Sequence, residues 1–321
     1  MLAKDIIKRV REIQIRTGRQ VADVLAGQYV SVFKGQGIEF NEVRPYLPGD
    51  DIRTIDWNVT ARFGEPFVKR YVEERQLTMM LLADVSASQD FGSATRSKRE
   101  ATAELCALLA FSATRNDDKV GLALFHGDIE QYIPARKGKK HALRVVREVL
   151  AHGDEPQDER ARSPQKKKRL WRMPRFRRRT RIRTSREATS IRGAVEFLMS
   201  VMNRKAVCFV VSDFFDDDYL QALQTANRKH DVIAVLVSDP HEIVMPNVGL
   251  VQLTDAETGE TRLHDLSDSK SAWAADLHER VSRLEEKFRS AKIDFIHIDA
   301  AGSIVDPLAK FFRMRERRQR R

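Results

Sequence analysis

A group of oxygen-bearing side chains follows the first long apolar segment of the chain. The segment Leu77–Val85 is almost continuously apolar, which is typical of a strand buried on both faces of a sheet. Asp84, Ser86 and Ser88 occupy alternate positions at its end and supply one carboxylate and two hydroxyls within a short loop. Because Mg²⁺ prefers hard oxygen ligands and Mn²⁺ accepts the same ones, this pattern predicts a site for Mg²⁺ or Mn²⁺.

Two further residues can complete the oxygen set. Asp213 ends a second apolar run, and Thr189 stands at the start of a helical pattern. Ligands of open α/β sheets bind beyond the carboxyl ends of the strands, so oxygens from separate loops can meet at that edge. Each residue alone has another interpretation: Thr189 or Ser190 as a helix N-cap, Asp213 as an acid in a turn, and the two serines as caps of a following helix.

The elements that must position these residues alternate between strand and helix. Short apolar runs separated by helical patterns predict an α/β fold with a doubly wound, mostly parallel sheet of Rossmann type. A hairpin is predicted at His126-Gly127-Asp128 and another near Thr258-Gly259. The predicted strands are 29–33, 67–75, 77–85, 119–125, 129–134, 205–214, 231–239 and 293–299, and the predicted helices are 2–26, 98–115, 141–150, 191–202, 217–227, 270–291 and 308–318.

The five oxygen-bearing residues resemble the metal-ion-dependent adhesion site of von Willebrand factor A domains, in which D-x-S-x-S is followed by a Thr and then an Asp. The resemblance implies that Ser86, Ser88 and Thr189 supply hydroxyls, and that Asp84 and Asp213 bind the metal directly or through water. It also implies that an acidic residue of a partner protein completes the coordination, so that the metal bridges two proteins. The chain would then be a binding module and not an enzyme.

The segment before the first buried strand carries a longer pattern. Residues 35–62 fit GxGxEFxExRxYxPGDDxRxIDWxxTAR, and E-E-R follows before the D-x-S-x-S motif. This resembles the domain of unknown function 58 family over about residues 18–300. The resemblance implies an adaptor or cofactor role beside a MoxR-type AAA+ ATPase, in chaperone-like protein or complex maturation. The chain departs from the family pattern at Gln89, at Ser190 and in the tract Arg160–Arg186.

The part of this pattern from 34 to 66 is predicted to be a long loop, and long loops inside compact domains are usually functional or hold buried polar networks. Its charges are close in sequence and opposite in sign, and Trp57 and Phe63 are predicted to be apolar anchors. One interpretation is a salt network that holds the N-terminal segment to the α/β domain; the other is a surface for a partner. The charged residues are Asp50, Asp51, Arg53, Asp56 and Arg62.

The net charge of +11 belongs to two segments. Arg160–Arg186 contributes +14 and Arg313–Arg321 contributes +5, so the rest of the chain carries −8. A charge run of this kind cannot bury itself, and we expect 160–186 to be a disordered insertion. It is either a solvated insertion, a binder of nucleic-acid phosphate, or a contact for anionic lipid that uses Trp171 and Phe176.

Several classes of protein find no support in the sequence. It contains no G-x-x-x-x-G-K-[ST] phosphate loop, no H-E-x-x-H and no G-x-S-x-G, so nothing indicates an ATPase, a zinc protease or a serine hydrolase. A metal-dependent hydrolase is a third alternative, because Mg²⁺ beside carboxylates can activate water, but no separate general base is evident. Cys106 and Cys208 lie among apolar residues, which indicates reduced thiols in the core.

The expected organisation follows from these patterns. We predict an N-terminal helix and signature segment at 1–76, an α/β domain at 77–304 and a basic C-terminal helix and tail at 305–321. No signal peptide is evident, and no apolar run approaches the ~18 residues of a membrane span. We therefore expect the protein in the cytoplasm, with a peripheral position at the inner membrane surface as the alternative.

Overall fold

The structure is a computed structural model that describes residues 12–13, 39–72, 77–152, 189–216, 218–243, 249–254, 260–265 and 272–319. The predicted tract 160–186 and a predicted strand at 29–33 lie outside these residues. A helix predicted at 2–26 also lies outside them, apart from Glu12 and Ile13, which are helical.

Strands and helices alternate along the described chain, in the order that the apolar pattern predicts. The strands are β1 (Glu39–Pro45), β2 (Phe67–Val72), β3 (Thr78–Asp84), β4 (Lys119–Phe125), β5 (Ile129–Arg136), β6 (Val207–Ser212), β7 (Asp231–Ser238), β8 (Leu250–Thr254), β9 (Thr261–Asp265) and β10 (Asp294–Asp299). The helices are α1 (Trp57–Phe63), α2 (Lys98–Arg115), α3 (Lys139–Ala151), α4 (Ile191–Val201), α5 (Leu220–Lys229), α6 (Pro240–Ile243), α7 (Ala272–Ser290) and α8 (Val305–Gln319).

A six-stranded sheet in the order β10-β7-β6-β3-β4-β5 forms the centre of the fold. All neighbouring strands are parallel except β5, which returns antiparallel beside β4 through the predicted hairpin. The chain crosses from β3 outward to β4, and later from β6 outward in the other direction, as in a doubly wound sheet. The structure thus confirms the predicted α/β fold.

Helices cover both faces of this sheet and divide its core in two. Alternate residues of β3 point to opposite faces: Met79 and Leu81 join the core under α2, α3 and α8, whereas Met80 and Leu82 join the core under α4, α5 and α7. Burial on both faces is the reason that β3 reads as a continuous apolar run. Cys106 and Cys208 are buried free thiols in these cores, as predicted.

The prediction of a loop at 34–66 is wrong in one respect, because this segment contains regular structure. β1 pairs antiparallel with β2, and a 3₁₀ turn and α1 lie between them. The Asp56 side chain caps α1 by accepting from the amides of Asn58 and Val59, and Gly64 ends the helix at φ 78°, a conformation that suits glycine. A helix of seven residues is too short to show periodicity, and the charges and prolines around β1 hide its alternation.

A separate strand pair and the last helix accompany the central sheet. β8 and β9 form a separate antiparallel pair, as the second predicted hairpin requires, although its turn lies outside the described residues. Leu308, Phe311 and Phe312 of α8 are buried in the core of the sheet domain, while the domain boundaries themselves stay predictions. In the part of the chain that the structure describes, no helix combines the length and apolar character needed to cross a membrane.

Candidate metal centre

Asp84 lies at the carboxyl end of β3, at the centre of the candidate site. Its Oδ1 accepts from the amide of Ser86 at 2.9 Å, and its Oδ2 accepts from the hydroxyl of Ser212 at 2.7 Å. Ser212 ends β6, the neighbour of β3, so strand pairing brings the two side chains together. Burial and then the charge of Asp213 raise the pKa of the Asp84 carboxyl to about 7, and the hydrogen bonds from Ser86 and Ser212 oppose that rise.

A chain of short contacts links the other residues of the motif. The hydroxyls of Ser86 and Ser88 lie 3.0 Å apart, and the Ser88 hydroxyl donates to Asp213 Oδ2 at 2.8 Å. Asp213 directly follows β6 and is buried, as is Ser86. Asp84, Ser86, Ser88 and Asp213 therefore converge from two neighbouring strand ends, where the sequence places them.

Thr189 lies in a third loop at the same edge of the sheet. It precedes Ser190, whose amide donates to the carbonyl of His126 at the end of β4, and Ile191, whose amide donates to Asp216 Oδ2 at 2.9 Å. These bonds hold its backbone between the loops after β4 and β6. Ser190, and not Thr189, caps α4, because its hydroxyl accepts from the amide of Gly193. Thr189 is assigned to the site by the resemblance.

A buried ammonium lies beside these oxygens, and no pattern in the sequence predicts it. Lys98 begins α2, is fully buried, and places Nζ 3.4 Å from Asp213 Oδ2 and 2.5 Å from Glu242 Oε1. Gln89 also donates to Asp213 Oδ2, at 3.3 Å. Asp213 is thus balanced by a fixed cation, whereas Asp84 has only hydroxyl and amide donors among the contacts described here.

A buried acid at the end of β7 fixes the loop that carries Ser86 and Ser88. Asp239 follows β7, is fully buried, and accepts from the hydroxyl and amide of Ser93 and from the amide of His241. Burial acts to raise the pKa of Asp239, but these hydrogen bonds hold that pKa below its usual range. Glu242, the partner of Lys98, in turn accepts from the amide of Asp239. The loops after β3, β6 and β7 therefore form one connected unit.

The chemistry of the donor set fits a small divalent cation. The four converging residues offer two carboxylates and two hydroxyls, which are hard oxygen ligands of the kind that Mg²⁺ and Mn²⁺ bind. The raised pKa of Asp84 indicates a carboxyl whose negative charge is under-compensated, and a cation would supply that compensation. Among the described residues no three His, Cys, Asp or Glu side chains converge, so serine hydroxyls are indispensable to such a site.

Two exposed aromatic side chains belong to the same loops. Phe91 follows the serine loop and is 47% exposed; Phe215 lies two residues after Asp213 and is 62% exposed. The guanidinium of Arg280 lies 3.5 Å from the centre of the Phe215 ring and donates to the backbone carbonyl of Asp213. Exposed apolar rings that flank a polar centre are typical of a surface that binds another protein.

The signature segment exposes apolar residues as well. Trp57 and Phe63, predicted to be anchors, are 67% and 70% exposed, so that prediction is wrong. Among the described residues of this segment, the Arg44 guanidinium donates to both oxygens of Asp50 at 2.8 and 2.7 Å, and the wider salt network stays a prediction. The Asp51 side chain accepts from the amide of Arg53, and so serves the backbone of the 3₁₀ turn. Exposure of the aromatic residues favours the alternative of a partner surface.

Several residues of this unit are absent from the set that the sequence pattern predicts. Ser212 directly precedes the predicted Asp213 and Phe215 lies two residues after it, and their position at a strand end is the signal that could have identified them. The pattern also marks Gln89, but only as a departure from the family. Lys98, Asp239 and Glu242 give no local signal, because their contacts join segments that are far apart in the chain.

The fold and the site define an α/β domain that carries a D-x-S-x-S loop at the carboxyl edge of its sheet. The chain belongs to the family described as "Protein of unknown function DUF58", whose model matches residues 42–283. An uncharacterized protein of Mycobacterium tuberculosis, Rv1480, is 28% identical over 254 residues, which is 79% of this chain and 71% of that protein.

Two solved structures align with about three quarters of this chain. The conserved hypothetical protein BatB from Bacteroides thetaiotaomicron is 13% identical with a TM-score of 0.42, over 75% of this chain and 99% of that one. The SpRpn10 VWA domain is 9% identical with a TM-score of 0.36, over 73% of this chain and 94% of that one.

Proposed function

We propose that the chain is a non-enzymatic protein-interaction module that binds Mg²⁺ or Mn²⁺ through Asp84, Ser86, Ser88, Thr189 and Asp213. The observation that carries the proposal is the run of contacts from Asp84, through the Ser86 amide and the two serine hydroxyls, to Asp213, in which the Ser88 hydroxyl of one loop lies 2.8 Å from Asp213 Oδ2 of another. When bound, the metal supplies a coordination position that a carboxylate of a partner protein can occupy.

The residues of this chain have separable roles in such binding. Asp84 and Asp213 provide negative charge for the cation, and the serines provide neutral oxygens that leave the site able to attract an acidic ligand. The exposed rings of Phe91 and Phe215 would pack against the partner and exclude water around the polar contact. No group in this arrangement needs to transfer a proton, and none of its residues is proposed to be catalytic.

The proposed partner is a MoxR-type AAA+ ATPase, for which the chain would act as an adaptor or cofactor in chaperone-like protein or complex maturation. Support comes from membership of the family and from the exposed Trp57 and Phe63 in its signature segment. The binding surface would then have two parts, an acidic contact at the metal and an apolar contact at the signature segment. A cytoplasmic position, or one at the inner membrane surface, suits that partner.

Binding of nucleic acid or lipid through 160–186 stays a prediction, because that tract lies outside the described residues.

Binding to a purified MoxR-type ATPase tests the proposal. We expect binding in Mg²⁺ to fall by at least about tenfold in EDTA and in Ser88→Ala, since loss of a ligand should cost no less than loss of an outer-shell partner. Ser200→Ala, an exposed serine on α4, is the matched control and should bind like the wild type. Equal binding with and without EDTA would overturn the metal-bridged interaction. Capture of RNA that needs 160–186 and ignores the chelator would favour the alternative.

A further inference from the structure

The sheet has an open lateral edge at β10, away from the candidate metal centre. β10 is the outermost strand beside β7, and no strand of the described chain lies on its other side. A groove of about 1300 Å³ runs along this edge between α7 and α8, with Asp294–His297 of β10 in its wall. An edge strand presents backbone N–H and C=O groups that can pair with another extended chain.

The register of β10 identifies groups that face the groove. The amide of Ala300 donates to the carbonyl of Ser238 in β7, so even-numbered residues direct their amides towards β7. Because backbone groups alternate in direction along a strand, the amide and carbonyl of Phe295 point to the open edge. The apolar part of the groove includes Val281, Ile293, Phe295, Pro307, Phe311 and Met314. The groove thus combines backbone donors and acceptors with an apolar floor.

The rim of this groove is predominantly positive. Six Lys and Arg residues line it against three acids, and two of the acids are already paired: Glu285 with Arg289 at 2.6 Å and Asp294 with Arg318 at 2.9 Å. Within the described part of the chain, the four remaining cations form no ion pair, and all four are exposed. These four are Lys292, Lys310, Arg313 and Arg317.

We propose that this groove binds an extended acidic segment of a partner protein, which adds to the sheet as a strand beside β10. Main-chain hydrogen bonds to the open edge supply part of the affinity, and the exposed cations on α8 and at the turn of Lys292 select acidic side chains. A nucleic acid suits the groove less well, because it would face Asp294 and Asp306 without using the backbone donors of β10. This surface is separate from the oxygen set at Asp84 and Asp213, and the inference does not rest on the proposed metal.

A labelled model peptide tests strand addition directly. The probe is a fluorescein-labelled octapeptide that alternates Glu with Val, and its binding to the full chain is measured by fluorescence anisotropy in EDTA. We expect saturable binding that weakens with salt, and a matched Lys-Val peptide should not bind. N-methylation of every second amide should abolish binding in one of the two possible frames and spare the other, since only one edge of the peptide strand pairs with β10. Equal effects of both frames would overturn the β-addition.

Charge reversal on the protein locates the site and separates it from the basic tract. Arg313→Glu combined with Arg317→Glu should weaken peptide binding by about tenfold or more, because four units of charge change along one groove. Arg204→Glu combined with Lys205→Glu, two exposed cations just before β6 that do not line the groove, is the matched control and retains 160–186. Unchanged binding in the α8 variant would overturn the assignment. So would a single-stranded oligonucleotide that binds this groove more tightly than the peptide does.

Discussion

Replacement of Lys98 by Met is expected to lower the free energy of unfolding of the metal-free protein by about 3 kcal/mol or more. Its ammonium is fully buried and lies between Asp213 and Glu242, so the substitution leaves two carboxylates without their cation. Removal of one partner from a buried ion pair typically costs about 3–5 kcal/mol, chiefly through the uncompensated charge. Denaturant unfolding in EDTA measures the loss.

The same variant should respond more strongly to Mg²⁺ than the wild type, because a bound cation would replace part of the charge that Lys98 supplied. Lys137→Met is the matched control, since Lys137 forms an ion pair with the well-exposed Asp117. Exposed pairs contribute about 1 kcal/mol or less, so this control should lose little stability. Equal losses in the two variants would show that the buried ammonium does not balance the site.

Replacement of Asp84 by Asn is expected to have the opposite effect and to stabilise the metal-free protein at pH 8. The Asn side chain can still accept from the Ser86 amide, and its amide can donate to the Ser212 hydroxyl, while the buried negative charge is removed. The pKa of Asp84 is raised from 3.8 to about 7, and each pKa unit corresponds to about 1.4 kcal/mol, so the gain is on the order of a few kcal/mol. A rise of several degrees in Tm, measured in EDTA, would follow.

The sign of the pH dependence follows from the same shift. Between about pH 4 and pH 7 the folded protein retains a proton on Asp84 that the unfolded chain has released, so the contribution of Asp84 to stability falls as pH rises through this window. The wild type in EDTA should therefore lose stability relative to Asp84→Asn from pH 5 to pH 8. Asp117→Asn, at an exposed acid, is the control and should follow the wild type. Parallel curves for wild type and Asp84→Asn would contradict the raised pKa.

The architecture could be predicted from sequence because burial imposes a simple pattern. Strands covered on both faces, such as β3 and β6, must be apolar throughout, and the oxygen-bearing residues that follow them must lie at the carboxyl edge. For that reason the spacing of Asp84, Ser86 and Ser88 already indicates the edge of the sheet at which they lie.

Other parts of the site could not be predicted because they depend on contacts between distant segments. Lys98 resembles any helix N-terminal lysine until the fold directs it towards Asp213, 115 residues further along the chain. The exposure of Trp57 is equally non-local, since its type alone favours burial. Thr189 is an intermediate case. The sequence pattern places it at the start of a helix, and the hydrogen bond from the Ser190 amide to the His126 carbonyl places that helix start at the carboxyl edge of the sheet.

Calorimetric titration of the metal-free protein with MgCl₂ and MnCl₂ at pH 8 tests the central claim most directly. The proposed site predicts one bound ion per chain in the wild type and in Asp117→Asn, and no measurable binding in Asp84→Asn, even though that variant folds and is more stable. Binding of equal affinity and stoichiometry in the wild type and Asp84→Asn would contradict the site.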